Sequence, residues 1–219
     1  MIRSDTSAVR ATTSAHRRQA LDVLNATYAE EKDWVDSASA LFPTKDLGDE
    51  STSWIVASVD KDPAGVLRVD FDPPLEQYTE YEFDPLDGAP DLDVDAFIQN
   101  HRTAEIGPFA VLPKFRRRLR VVFWLMRVAG RETLRRNYTH YVTDIFQGEE
   151  HSPYQFHTRV LGFRPVATHE TGEMDCLHRR ITLVLNLKEA YERLRESRNR
   201  LYRFLTKGID ATLLHSFSA

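Results

Sequence analysis

Residues 104–120 constrain this chain more than any other stretch. They read Ala104-Glu105-Ile106-Gly107-Pro108-Phe109-Ala110-Val111-Leu112-Pro113-Lys114-Phe115-Arg116-Arg117-Arg118-Leu119-Arg120. An apolar strand runs into a turn opened by proline, and a helix then begins among four arginines. Strand, short turn and helix start in that order make a candidate anion-binding corner. The first N–H groups of a helix lack partners, and the helix dipole favours negative charge there. A carboxylate, Glu105, sits on the strand just upstream. No glycine lies between Gly107 and Gly130. A phosphate at this corner therefore meets arginine forks rather than a bare backbone cradle.

Hydrophobic periodicity sets the elements around that corner. A helix is predicted from Ser14, as N-cap, to about Lys32, with Ala20, Leu21, Val23, Leu24 and Tyr28 on its apolar face. Residues 53–59 and 65–71 alternate as the strands of a hairpin around a turn at 60–65. Residues 103–111 form a strand, and Phe115, Leu119, Val122, Phe123, Met126 and Leu134 mark a helix to about Arg136. A strand over 138–146 follows. Ser152-Pro153 then opens a short helix that Gly162 ends, and strands at 163–168 and 178–185 complete the pattern. Asn186 caps a last helix carrying Leu187, Tyr191, Leu194, Leu201 and Leu205. That helix either packs on its own domain or makes a homodimer contact.

This order implies one α/β domain over residues 14–186, with a loose Ser/Thr-rich start at 1–13 and a C-terminal helix and tail at 187–219. Residues 72–98 read as an acidic insert, either a lid or a solvated connector. Charge is unevenly spread. Asp72 to Asp95 holds no Lys or Arg, whereas Lys114 to Arg136 holds a single acid, Glu132. The net charge of -4 argues against nucleic acid as a partner. No aromatic platform accompanies the basic cluster, which weakens that reading further. The single Cys176 fits a reducing compartment. The longest apolar run near a helix, Val121 to Met126, is too short to span a bilayer. These features point to a cytoplasmic protein. His140, His151, His157, His169 and His178 show no metal-ligand spacing, so no metal is expected.

Leu161-Gly162-Phe163-Arg164-Pro165-Val166 resembles the "LGF-x-x-V" segment of GNAT-fold acyltransferases, and Val111-x-Pro113-x-Phe115-Arg116 resembles the "V-x-P-x-Y-R" that leads into their cofactor helix. The resemblance covers residues 20–185. Within the superfamily, four further segments resemble the acyl-homoserine lactone synthases and N-acyl amino acid synthases. They are Glu30-Glu31-Lys32-Asp33-Trp34-Val35 ("E-E-x-x-W"), Asp46-x-x-Asp49, Gly65-Val66-Leu67-Arg68 ("G-x-x-R") and Glu105-Ile106-Gly107-Pro108-Phe109-Ala110-Val111 ("E-I-S-R-F-A-V"). The resemblance implies a central mixed, mostly antiparallel sheet, splayed between two strands and flanked by helices. It implies an N-acyltransferase that uses an acyl-phosphopantetheine thioester as co-substrate, with no permanently bound cofactor. Gly107-Pro108 replaces Ser-Arg, Leu24 stands where the lactone synthases tend to carry Arg, and Leu119 and Val121 hold the usual glycine positions of the CoA loop. The first two departures tell against a strict lactone synthase, whereas the missing glycines argue against ordinary CoA binding and point to acyl carrier protein as the donor.

The resemblance also distributes roles. Amide formation needs a neutral amine, so a base helps. Glu105 fits, unless it simply pairs with Arg102 or Arg68. Backbone N–H groups near Phe109 and Val111 would hold the oxyanion. Tyr154 would protonate the departing thiolate, or is a packing tyrosine. Arg116, Arg117, Arg118 and Arg120 would meet the phosphate and the acidic carrier protein, or form a solvated face. Asp46, Asp49 and Arg68 would hold a small amine such as an amino acid, with loop capping and a surface ion pair as the alternative. Trp34 would wall the pocket or sit in the core. The competing functions are an acyl-CoA-dependent N-acetyltransferase and a GNAT-like binding or regulatory protein without chemistry.

Overall fold

Polar residues 1–13, expected to be loose, contain a strand: β1 (Thr6–Arg10) pairs antiparallel with β2 (Thr52–Val59) at the edge of the sheet. Its one large apolar residue, Val9, faces outward and is 45% exposed, so no inward hydrophobic pattern announces it. The computed structural model describes residues 5–41, 49–72, 84–86, 96–97, 100–170, 174, 176 and 178–210. The insert therefore lies mostly outside the described residues, as does Asp46.

Helix α1 (Ser14–Leu24) is capped by Thr13, whose hydroxyl accepts from His16 N at 3.2 Å. The cap thus sits one residue before the expected Ser14. From Asn25 to Ala29 the helix widens into a π turn. Thr27 Oγ1 donates back to Val23 O at 2.7 Å within this turn, and Tyr28 is buried. A short helix, α2 (Ala38–Leu41), follows. The hairpin closes more tightly than expected. β3 (Asp62–Phe71) begins right after Asp60-Lys61, whose φ of 51° and 75° make the mirror-image turn that matches strand twist. A two-residue strand of the acidic insert, β4 (Asp84–Pro85), pairs with a later strand.

The remaining elements are β5 (Thr103–Val111), α3 (Leu119–Arg135), β6 (His140–Phe146), a π turn at Phe156–Leu161, β7 (Arg164–His169), β8 (Arg180–Asn186), α4 (Leu187–Glu196) and α5 (Arg200–Thr206). Gly162 ends the second π turn at φ 93°, a conformation glycine adopts without strain. The sheet runs β1-β2-β3-β5-β6-β8-β7-β4, antiparallel throughout except for the parallel β5/β6 pair. The expected single C-terminal helix is two, broken at Ser197–Asn199. Leu194, Leu201 and Leu205 pack into the main core of their own chain.

Strand alternation builds a core on each face of the sheet. Trp54, Val56 and Val66 meet α1 through Ala20, Val23 and Leu24. Ile55, Leu67 and Val69 meet α3 and the C-terminal helices through Val121, Leu125 and Leu201. Gly65 lets α3 sit down on β3. A Cβ there would lie 3.0 Å from Ala110 O and 3.1 Å from Val121 Cγ1. No helix among the described residues is long and apolar enough to cross a membrane.

Candidate active site

β5 and β6 pair only from Thr103–Glu105 against His140–Val142. Past that point the two strands separate, although β5 continues to Val111 and β6 to Phe146. Local sequence explains the parting. Leu67 pairs with Phe109 and Val69 with Ile106, so Gly107 and Pro108 together oppose the single Arg68. That is a β-bulge, which bends a strand and increases its twist. Arg68 Nε holds the bulge by donating to Gly107 O at 2.7 Å. At the vertex Thr143 Oγ1 donates to Ile106 O at 2.7 Å.

The splay opens into a cavity of about 490 Å3. Ile106, Pro108, Phe109, Val111, Val122 and Phe156 give it apolar wall, while Glu105, Asp144, His157 and Arg180 give it polar groups. Trp34 also lines it, with its ring 5.3 Å from Tyr28 and 4.5 Å from Phe146. Glu105 stands at the vertex, across from Asp70 on β3 and Val142 on β6.

Tyr28 reaches the strand backbone from the π turn of α1. Its hydroxyl donates to Phe109 O and accepts from Phe109 N, both at 3.1 Å. Burial pushes this phenol up to about 12, against the opposing pull of the Phe109 bond and the Arg68 charge. Leu112 N–H crosses to Ala64 O at 3.0 Å. Ladder alternation therefore aims the Phe109 and Val111 N–H groups away from β3, into the splay. The carbonyl of Val111 accepts from Arg116 Nε at 3.1 Å.

Other expected site residues stand elsewhere. Arg116 lines the cavity, but its guanidinium is committed to both oxygens of Glu31, at 2.6 and 2.5 Å. That fork holds the Glu31 carboxyl below its usual range. Arg117, Arg118 and Arg120 are exposed around the start of α3 and outside the cavity wall, with Leu119, 58% exposed, at its rim. Arg68 pairs with Asp70 at 2.7 Å and lines the cavity. Asp49 is an exposed turn cap, accepting from Ser51 N and Oγ at 2.8 Å each, and these bonds lower its pKa. It takes the loop-capping alternative. Tyr154 packs against the core cluster and is not part of the cavity wall. Three residues on, His157 is.

His157 is 1% exposed, and its Nδ1 lies 3.0 Å from Pro153 O. That bond makes Nδ1 the protonated nitrogen and leaves Nε2 as the acceptor. Burial lowers its pKa to about 4, with the Pro153 bond opposing. Sequence reading also missed Tyr28 as a backbone clamp, and Asp144 and Arg180 as cavity groups. A signal existed for Asp144, a lone carboxylate between Val142 and Phe146 on a strand. Nothing in the sequence shows which face Arg180 takes.

The family model for FeeM, an N-acyl amino acid synthase, matches residues 19–174. The chain belongs to this family. No curated protein is matched by sequence. Among solved structures, FeeM from uncultured soil microbes superposes with a TM-score of 0.65 at 16% identity, over 87% of this chain and 95% of that one. The ribosomal-protein-S18-alanine N-acetyltransferase from Escherichia coli gives 0.55 at 11% identity, over 84% and 94%. An aminoglycoside 6'-N-acetyltransferase complexed with coenzyme A gives 0.55 at 13%, over 83% and 96%. The protein is thus an acyltransferase with the GNAT fold.

Proposed function

We propose that this chain joins an acyl group, carried as a phosphopantetheine thioester on acyl carrier protein, to the amine of a small amino acid. The observation that carries this reading is the splay at Glu105. There a carboxylate, two outward-aimed backbone N–H groups and an apolar wall converge on one cavity. The amine nitrogen attacks the thioester carbon directly. The carbonyl oxygen becomes an oxyanion facing the Val111 N–H, and that of Phe109 where Tyr28 yields it. Glu105 takes the proton that nitrogen loses, directly or through water. The intermediate then expels the thiolate, which is protonated as the amide forms. Tyr154 supplies that proton only if it turns toward the cavity.

Two features favour a carrier protein over free CoA. The turn into α3 has no glycine, and Arg117, Arg118 and Arg120 stay exposed beside the cavity rim, where an acidic protein can meet them. Single-turnover mass spectrometry with acyl-carrier protein, acyl-CoA and an amino-acid pool tests the reading. N-acyl amino acid formed from the carrier protein is expected. Product from CoA alone would remove the carrier protein from the scheme, and no product from either donor would remove the chemistry.

A further inference from the structure

Arg180 carries a permanent charge in an unusual place. It begins β8, is 5% exposed and lines the cavity. Its two terminal nitrogens donate to backbone carbonyls, Nη1 to Glu170 O at 2.5 Å and Nη2 to Met174 O at 2.7 Å. The guanidinium carbon lies 5.1 Å from the centre of the Phe146 ring. No carboxylate pairs with it among the described residues. Neutral carbonyls satisfy N–H groups but do not balance a charge, and a buried charge without a counter-ion is costly. The fork has five donors, so these two bonds leave capacity for a planar anion.

The opposite charge sits close by on the same sheet. Phe146 pairs with Arg180, and Asp144 with Thr182, so Asp144 and Arg180 are diagonal neighbours across β6 and β8. Side chains two residues apart on a strand share a face. Such diagonal positions lie about 7–8 Å apart. Both line the cavity, yet they are not paired with each other. Asp144 is also held in place. Thr182 Oγ1 donates to Oδ1 at 2.6 Å, and His169 Nε2 lies 3.2 Å from Oδ2. His169 is itself 1% exposed. A fixed carboxylate and a fixed guanidinium, side by side and separate, complement a zwitterion.

We infer that Arg180 and Asp144 clamp the acceptor by its two charged ends, Arg180 on the carboxylate and Asp144 on the ammonium. His169 and Thr182 act as positioning residues behind Asp144. Glu105 receives the proton once the amine turns to the thioester. The inference rests on the amino-acid reading above and sharpens it: the acceptor must be a free α-amino acid. An amine without a carboxylate, or a carboxylic acid without an amine, fills only half of the clamp. Phe146 and Trp34 beside the clamp suit an apolar or aromatic side chain.

Calorimetric titration of the full-length protein tests the clamp without turnover. Three probe sets, built on phenylalanine, leucine and serine, each comprise the amino acid, its decarboxylated amine and its deaminated acid. The amino acid of at least one set should bind, with each half-molecule weaker by about 10- to 100-fold, as loss of a charge-assisted bond predicts. Arg180→Gln should reduce amino-acid affinity to that of the amine and leave the amine unchanged. Asp144→Asn should do the reverse, reducing affinity to that of the acid. Circular dichroism and melting of each variant separate misfolding from loss of the clamp, and the wild-type comparison needs no variant. Equal binding of amino acid and amine, or no binding in any set, overturns the inference. Selective binding without acyl transfer keeps the clamp and rejects the proposed function. Transfer that accepts amine and amino acid alike rejects the clamp and keeps the function.

Discussion

His157 makes acid sensitivity of this protein calculable. The imidazole is buried against Phe109 and Phe163, with ring centres at 6.1 and 5.0 Å, and its native pKa is lowered to about 4. In the unfolded chain it returns to roughly 6.5. The native state therefore refuses a proton that the unfolded state accepts, and stability rises with pH across that window. The contribution is complete above about pH 6.5, falls by about 1.4 kcal/mol for each pH unit below it, and is lost by about pH 4. At pH 5 the loss is about 2 kcal/mol, and by pH 4 about 3 kcal/mol. His157→Asn isolates this effect, because the shorter amide still has an N–H to offer Pro153 O but cannot titrate. The variant loses ring volume and starts lower, by about 1–3 kcal/mol, at every pH. Urea unfolding of both proteins between about pH 7 and pH 5 gives the difference, since all other titrating groups are common to the two. The gap should shrink by about 2 kcal/mol over that range. Curves that run parallel would refute the buried neutral imidazole and, with it, the assigned tautomer.

Glu105→Gln should lower kcat by about 100-fold or more at saturating donor and acceptor, with an unchanged melting temperature; retained turnover removes its role as base. Gly65→Ala places a methyl against Ala110 O and Val121, and should cost about 1–3 kcal/mol in chemical denaturation, because the sheet backbone cannot move aside. Tyr28→Phe unties both polar groups of Phe109 and should cost about 2 kcal/mol if water does not replace the hydroxyl. Replacing Arg117 and Arg120 together with Glu should raise KM for acyl-carrier protein and flatten its salt dependence, while leaving activity with a short acyl-pantetheine donor intact.

The fold was legible because its signals are local. Alternation marked β2, β3, β5 and β6, Gly162 marked the end of a helical turn, and the run from Glu105 through the arginines marked the passage from strand to helix beside the cleft. What escaped was decided by tertiary contact. β1 is an edge strand with a polar pattern, so its pairing with β2 leaves no hydrophobic trace. The C-terminal helix breaks at Ser197–Asn199, where Arg198 adopts φ 51°. In the site, Trp34 lies in the cavity wall and Glu105 at the vertex. Arg116 suits a phosphate by its sequence position, but Glu31 from the end of the first helical segment reaches it. That pair joins residues 85 positions apart and has no sequence signature. Tyr154 and His157 lie within one turn of each other. Only the widened helical turn decides which of them faces the cavity.

Gly107-Pro108 shows how a departure from a family pattern can carry structure. By resemblance it counts as a lost arginine. In the fold it supplies the extra residue that makes β5 bulge opposite Arg68 and turn away from β6. Arg68 is then drawn to the bulge and to Asp70. The substitution therefore changes two things together. It bends the strand that walls the cleft, and it engages Arg68, which could otherwise have met an acceptor. A carboxylate-bearing acceptor then needs another cation, and Arg180 is the buried guanidinium in the cavity that no carboxylate holds among the described residues. On this view the loss at residue 108 and the buried charge at residue 180 are linked. Restoring Ser-Arg at 107–108 should make the Arg180→Gln variant less defective toward amino acids than it is with Gly-Pro in place.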